Sequence, residues 1–279
     1  AQGLSIIYIS HRLEEVFNIA DRIVVLKDGR NVGKAAIGEI DTEKLISMMV
    51  GKKMSNQYPP KEVYNGEDLF AVDGLSREGV IEDIGFKVGK GEVLGIYGLV
   101  GSGRSELAET IFGIRPHDRG NLALKGEPLN IKCAQEAIEA GICLVPEERR
   151  LQGFSPNMSV MDNLTVANLR RCSNKIGVID SNQEKRDSQD LVDQLNVITP
   201  NINQYVKFLS GGNQQKVVLG KWLYSNSQIY IFDEPTKGID VGAKKEIYQL
   251  IFNLASEGAG VIFISSEIPE IMGVCHREL

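Results

Sequence analysis

Residues 92–107 read EVLGIYGLVGSGRSEL, an apolar run followed by a glycine-rich turn and the beginning of a helix. The glycine spacing is that of a phosphate-binding loop, in which backbone N–H groups and a helix N-terminus face a phosphate. Such a loop needs a strand before it and a helix after it, and the apolar periodicity predicts both. The stretch favours an α/β protein with a nucleotide site; a strand–helix turn that binds nothing is the alternative interpretation of this stretch alone.

Arg104 stands in this loop where phosphate-binding loops carry a lysine. Arginine can bind phosphate, but its planar guanidinium is wider than an ammonium and need not fit against charge that develops on a γ-phosphate. Ser105 is placed to bind Mg²⁺ through its hydroxyl. The candidate nucleotide-binding residues of the loop are Gly98, Gly101, Ser102, Gly103, Arg104 and Ser105.

A second stretch, IYIFDE at residues 229–234, predicts a buried strand that ends in two acids. Asp233 at the end of such a strand can hold Mg²⁺, and Glu234 can polarise an attacking water. A strand that ends in a polar turn before Pro235 would have the same sequence pattern. The glycine loop earlier in the chain favours the catalytic interpretation.

A third stretch, LSGGNQQK at residues 209–216, precedes an apolar helix. Ser210 is a candidate N-cap, and the two glycines after it expose backbone amides. A flexible linker would also be rich in serine and glycine, but linkers do not usually open an amphipathic helix. The candidate nucleotide-binding residues here are Ser210, Gly211, Gly212 and Asn213.

Together these motifs resemble the ATP-binding cassettes of ABC transporters, whose signature is LSGGQ. The features stand in the family's order: the loop at 98–105, LVPEERR at 144–150, LSGGN at 209–213, IYIFDE at 229–234, and then Asp240 and Ser266. The resemblance implies an ABC-type P-loop NTPase of the α/β class, with a mostly parallel sheet core, an antiparallel β part and a helical subdomain. It also implies ATP and Mg²⁺ as cofactors.

The chain contains an internal repeat. GLSIIYISHRLEEVFNIADR at residues 3–22 matches GAGVIFISSEIPEIMGVCHR at residues 258–277 at one constant offset, and both predict a buried strand followed by an amphipathic helix. We therefore expect the chain to cover parts of two tandem copies of the same domain. Its parts are the end of a first cassette at 1–50, a proline-containing linker at 51–66, and a second cassette at 67–279 that lacks its C-terminal strands.

A narrower resemblance rests on LSGGNQQK, DEPTKGIDVGAK and ISSEIPE together with the fused cassettes. These look like the ATP-binding subunits of monosaccharide importers of the ribose/galactose/xylose type. The resemblance implies an ATPase that energises sugar import at the cytoplasmic face of the bacterial cell membrane. Its implied partners are transmembrane permease subunits and, indirectly, a periplasmic sugar-binding protein.

The second cassette departs from the hydrolytic pattern of the family at three positions. Besides Arg104, Glu147 stands where a glutamine usually senses Mg²⁺ and water, and Ser266 stands where a histidine usually contacts the γ-phosphate. The first cassette retains that histidine as His11; a lone histidine after a strand is ordinarily a surface residue, but the repeat register marks His11 as a candidate catalytic residue. With Glu234 retained, we expect a site that binds ATP and hydrolyses it poorly.

The segment between Glu147 and the signature forms, in relatives, the groove for a cytoplasmic helix of the permease. Phe154, Met158 and Met161 are candidates for its apolar floor, because methionines suit adaptable contacts. The alternative interpretation places the same residues in the core of the helical subdomain.

Composition restricts the remaining classes. The net charge of −6 disfavours nucleic acid as the main partner, and the sequence contains no apolar run of about 18 residues that could cross a bilayer. The four cysteines lack the spacing of a metal site. Two alternatives to the importer subunit remain: a soluble tandem ABC ATPase without a membrane partner, and a nucleotide-binding scaffold without turnover.

Overall fold

A computed structural model of the chain describes residues 4–9, 13–27, 30–41, 44, 45, 48, 58, 64, 66–98 and 101–279. The chain divides into two compact units, residues 1–58 with 238–246 and residues 59–237 with 247–279. Within the described ranges, no helix is both long and apolar enough to cross a bilayer.

Among its described residues, the first unit contains a helix, a β-hairpin, helical residues at 44, 45 and 48, and the helical residues 241–246. Its elements are α1 (Leu13–Ile19), β1 (Arg22–Lys27), β2 (Arg30–Ala36) and a 3-10 turn at Ile37–Glu39. The two strands are antiparallel and form a sheet of their own. Ile23 and Val25 alternate with exposed Val24, as a strand with one buried face requires, and they pack with Ile40 and Leu45. Residues 4–9, which the repeat predicts as a buried strand, form no strand and are exposed.

The second unit begins with an antiparallel sheet. Its strands are β3 (Asp68–Arg77), β4 (Ile81–Gly89), β6 (Arg119–Leu124) and β7 (Glu127–Leu129), in the order β4-β3-β6-β7. Strand β4 ends shortly before the first strand of the parallel sheet, and Gly260 of that sheet lies against Val88 of β4. The antiparallel sheet thus packs against the parallel sheet at Gly260, and Ile81 at the start of β4 lies next to Gly103 of the glycine loop.

A parallel sheet forms the centre of this unit. Its strands are β5 (Val93–Tyr97), β8 (Ile142–Val145), β9 (Ile229–Asp233), β10 (Gly260–Ser265) and β11 (Arg277–Glu278), in the order β11-β5-β10-β9-β8. Strands β8, β9 and β10 are buried along their whole length, which explains why they read as continuous apolar runs. The predicted α/β class and the mostly parallel sheet are confirmed.

We number eight α-helices in the described part of the chain. After α1 they are α2 (Arg104–Ile111), α3 (Ala134–Glu139), α4 (Val160–Thr165), α5 (Ser181–Gln194), α6 (Gly211–Ser225), α7 (Val241–Ser256) and α8 (Ile268–Val274). Helices α4, α5 and α6 form the predicted helical subdomain around a separate apolar core that includes Leu164, Val192 and Val217. A capping box fixes the start of α4, because Ser159 and Asp162 satisfy each other's backbone N–H groups.

Lys221 of α6 gives the subdomain a pH-dependent contribution to stability. Its ammonium donates to the carbonyl of Gly153 at 2.7 Å and lies 4.5 Å from the ring centroid of Trp222. Burial lowers the pKa of Lys221 to about 8, with a smaller opposing effect from Cys143. Between about pH 8 and pH 10.5 the unfolded chain therefore binds more protons at this group than the folded chain does.

We therefore expect the free energy of unfolding to rise with pH in that window. The free energy of unfolding of the unmodified chain, compared with that of Lys221→Met, should increase by about 2 kcal/mol between pH 7.5 and pH 10.5. Urea unfolding of both chains at several pH values measures this difference, because other titrating groups cancel in the comparison. A difference that stays constant over the window would contradict the expectation.

Candidate nucleotide-binding site

The glycine loop has the predicted strand before it and the predicted helix after it. β5 ends at Tyr97, and α2 begins at Arg104 directly after Gly103. Gly103 has φ of 90° and Gly101 has φ of 84°, both in the left-handed region that favours glycine. The first amides of α2 have no intrahelical partner, so this end of the helix is suited to an anion.

Asp233 and Glu234 lie at the same edge of the parallel sheet as the loop. Strand β10 separates β9 from β5, and parallel strands present their carboxyl ends at one edge. Asp233 ends β9 with 4% of its surface exposed. Glu234 follows with φ of 46°, which is unusual for a residue other than glycine, and its N–H donates to the carbonyl of Ile264 at 3.0 Å.

The structure brings Arg104 and Glu234 together. Nη1 of Arg104 lies 3.4 Å from Oε1 of Glu234, and the two side chains are only 12% and 9% exposed. This distance exceeds the roughly 2.7–2.9 Å of a strong charge-assisted hydrogen bond, but the low exposure of both side chains limits screening of the pair by solvent. The guanidinium that replaces the usual lysine therefore faces the residue expected to polarise water.

Asp233 and Ser105 form the candidate Mg²⁺ ligands. Burial raises the pKa of Asp233 to about 6; a hydrogen bond from Ser105 lowers it, and the charges of Glu147 and Glu234 raise it further. Oδ1 of Asp233 is buried and has no hydrogen-bond partner among the described residues. An orphaned carboxylate oxygen beside a hydroxyl fits Mg²⁺, which proteins commonly bind through one or two side chains together with nucleotide phosphates.

Glu147 joins this cluster through two contacts. Its Oε2 accepts a hydrogen bond from the Ser105 hydroxyl at 3.4 Å, and its Oε1 accepts from the ammonium of Lys237. Lys237 lies within the quoted stretch DEPTKGIDVGAK, but the motif by itself does not predict a role for this residue. Sequence could not show that the loop after β8 and the loop after β9 meet through these two side chains.

The signature residues form a separate group at the start of α6. Ser210 is the N-cap, and its hydroxyl accepts from the side-chain amide of Asn213 at 2.9 Å. The guanidinium of Arg149 packs against Gly211, where a Cβ would lie 2.9 Å from Nη2, and its Nη1 donates to the carbonyl of Lys237 at 3.2 Å. Among the described side-chain hydrogen bonds, none joins Ser210 or Asn213 to the glycine loop.

Three further candidates have different positions. Ser266 is exposed directly after β10, at the sheet edge that carries the loop. Asp240 belongs to the first compact unit, where its side chain accepts from the N–H groups of Gly242 and Ala243. His11 lies outside the described residues.

A buried carboxylate forms hydrogen bonds with residues close to this edge of the sheet. Glu270 of α8 is 1% exposed and accepts hydrogen bonds from the hydroxyls of Thr236, Tyr248 and Ser265. We call these four residues the Glu270 cluster; their donor–acceptor distances are 2.6–2.9 Å. The sequence signal for it was the repeat register, which pairs Glu270 with Glu15, itself an acceptor from the Tyr8 hydroxyl at 2.6 Å.

The fold and these motifs define a P-loop nucleotide-binding protein of the α/β class. The sequence profile of the ABC transporter family matches residues 81–237. The chain belongs to this family.

Relatives and solved structures agree with this assignment. The chain is 47% identical over 99% of its length to the ribose import ATP-binding protein RbsA of Clostridium perfringens strain 13, and it covers 55% of that protein. It is 44% identical over its full length to the galactose/methyl galactoside import ATP-binding protein MglA of Salmonella typhimurium, again covering 55%. A nucleotide-free ATP-binding cassette from an ABC transporter superposes with a TM-score of 0.64 at 18% identity, covering 75% of this chain and 85% of that one.

The chain thus spans about half the length of the curated relatives it matches. The similarity to the solved cassette establishes the fold. The identities of 44–47% connect the chain to proteins named for sugar import.

Proposed function

We propose that this chain is part of an ATP-binding subunit that energises monosaccharide import across the bacterial cytoplasmic membrane. The observation that carries the proposal is the cluster of Arg104, Ser105, Asp233 and Glu234 at one sheet edge, in a chain 47% identical to a ribose import ATP-binding protein. We assign residues 1–50 to the end of a first cassette, 51–66 to a linker and 67–279 to a second cassette.

In the proposed mechanism, the amides of the loop at 98–103 and the start of α2 bind the phosphates of ATP. Ser105 and Asp233 would hold Mg²⁺, which neutralises phosphate charge when it is bound. Glu234 is the residue that would orient the attacking water, but Arg104 lies 3.4 Å from its carboxylate. Because its carboxylate faces a guanidinium, Glu234 is not free to hold the attacking water, so this cassette binds ATP and hydrolyses it poorly.

Efficient hydrolysis would then belong to a second site, formed between the glycine loop of the first cassette and the signature of this one. In the proposed arrangement the signature residues Ser210, Gly211, Gly212 and Asn213 complete the site of the first cassette, whereas Ser266 belongs to the nucleotide site of the second cassette and Asp240 is a further candidate nucleotide-binding residue. His11 would contact the γ-phosphate at the site of the first cassette. Ser210 is exposed and caps the start of α6, which supports the role of the signature residues because the first amides of a helix can face an anion.

The proposed partners are transmembrane permease subunits, at the cytoplasmic face of the membrane, and indirectly a periplasmic sugar-binding protein. Two of the three residues suggested for the permease groove are partly covered: Phe154 packs against the core of the helical subdomain, and Met161 is half-buried. Met158 is 36% exposed. Its exposure supports a contact role for Met158, whereas Phe154 fits the alternative interpretation as a core residue.

The proposal is tested by measuring MgATP binding by calorimetry and phosphate release over hours on the purified chain. We expect binding without sustained release, in the unmodified chain and in Glu234→Gln alike. Glu82→Gln, an exposed position with the same chemical change, is the matched control. Clear release that Glu234→Gln abolishes and Glu82→Gln leaves intact would mean that Arg104 does not restrain Glu234.

A further inference from the structure

Two cationic side chains of this protein are paired with acidic side chains around the glycine loop. Arg104 faces Glu234, and the ammonium of Lys237 donates to Glu147, whose other oxygen accepts from Ser105. Each of the two carboxylates that would repel an incoming polyphosphate therefore has an internal counter-ion. Oδ1 of Asp233 is a buried carboxylate oxygen without a hydrogen-bond partner among the described residues.

The backbone of Lys237 is held in place close to the site. Its N–H donates to the carbonyl of Glu234 at 3.1 Å, and its own carbonyl accepts from Nη1 of Arg149 at 3.2 Å. These contacts fix the residue one tight turn beyond Glu234. The side chain is 58% exposed, so its ammonium can exchange one anionic partner for another without unfolding the turn.

The ammonium of Lys237 is surrounded by carboxylates, as a divalent cation bound at this site would be. The pKa of Lys237 is raised above its ordinary value, first by the hydrogen bond to Glu147 and then by the charges of Glu147, Glu234 and Glu148. The ammonium thus lies in the combined field of three carboxylates. Lysine is also a common ligand of nucleotide phosphates, as a compact point charge.

We propose that Lys237 is a built-in counter-ion that, together with Arg104, allows this cassette to bind ATP without a divalent cation. The inference rests on the proposed function, in that the loop at 98–105 is taken to hold the nucleotide. Ser105 and Asp233 remain available for Mg²⁺, so the metal can still bind. Metal-free ATP, however, meets a site in which Glu147 and Glu234 are already neutralised.

Calorimetry with ATP in excess EDTA and with ATP in excess MgCl₂, at pH 8, tests the inference. For the unmodified chain we expect the two dissociation constants to agree within about threefold. Lys237→Gln leaves Glu147 without a cationic partner, so it should weaken the affinity for metal-free ATP at least about tenfold while changing the affinity for MgATP by less than about threefold.

A charge-balanced double variant separates the counter-ion role from a loss of structure. In Lys237→Gln with Glu147→Gln, neither the cation nor the repelling carboxylate remains, so affinity for metal-free ATP should return to within about threefold of the unmodified chain. Lys185→Gln, which makes the same charge change on the exposed face of α5, is the control for net charge. Its affinities should equal those of the unmodified chain.

The outcomes distinguish this inference from the proposed function. Binding that occurs only with Mg²⁺ would overturn the counter-ion role of Lys237 and leave the nucleotide site standing. Equal losses of affinity for metal-free ATP and for MgATP in Lys237→Gln would also overturn it. The absence of binding under every condition would instead remove the nucleotide site itself.

Discussion

Replacing Glu270 with alanine is expected to lower the free energy of unfolding by about 3 kcal/mol or more. The change removes the carboxylate that accepts from the hydroxyls of Thr236, Tyr248 and Ser265, and all three residues are at most 2% exposed. A buried polar group that loses its partner costs about 1–3 kcal/mol, and water that enters the new space offsets part of this. For a domain of this size, thermal unfolding should shift downward by roughly 6–12 °C.

The Glu270 cluster also positions the candidate site, so nucleotide binding should suffer with stability. Thr236 lies two residues after Glu234, and Ser265 directly precedes Ser266. Glu270→Gln keeps one carbonyl oxygen as an acceptor and should lose less than half as much stability as Glu270→Ala. Glu127→Ala, an exposed glutamate of β7, should change the melting temperature little. A melting temperature of Glu270→Ala within about 2 °C of the unmodified chain would contradict the role of the cluster.

The parts of the site that sequence predicted are those determined by local rules. The loop at 98–103 needs left-handed glycines between a buried strand and a helix, and all of these requirements lie within sixteen consecutive residues of the sequence. The start of α6 likewise follows from Ser210 as an N-cap before an apolar helix. Asp233 could be placed at the sheet edge because it ends a continuous apolar strand.

The contacts that adjust the site were not predictable, because they join residues far apart in the chain. Lys237 meets Glu147, and Thr236 meets Glu270, only after the parallel strands have placed their following loops at one edge. Sequence alone assigned Glu147 by its motif position and could not supply its partner. The π-helical turn at Arg149–Gly153 was missed for a related reason, since Gly153 packs against Val218 of α6.

Gly103→Ala is expected to reduce ATP affinity at least about thirtyfold, whereas Gly101→Ala should reduce it less than about tenfold. Both glycines have a positive φ, so alanine is strained at either position by about 1 kcal/mol or somewhat more. A Cβ at Gly103 would in addition lie 3.0 Å from the carbonyl oxygen of Val80 and 3.3 Å from Cγ2 of Ile81. At Gly101 it would meet nothing within 4 Å among the described residues.

The carbonyl of Val80 cannot easily move away, because the N–H of the same residue is bonded to Arg77 at 3.0 Å in the turn between β3 and β4. The clash must therefore be relieved by the glycine loop, which shifts the amides that we propose to bind the phosphates. Calorimetry with ATP on both variants, with melting curves recorded without nucleotide, separates this shift from a general loss of stability. Equal losses of affinity in the two variants would mean that the left-handed backbone alone, and not the packing of Gly103 against Val80, holds the loop in its binding conformation.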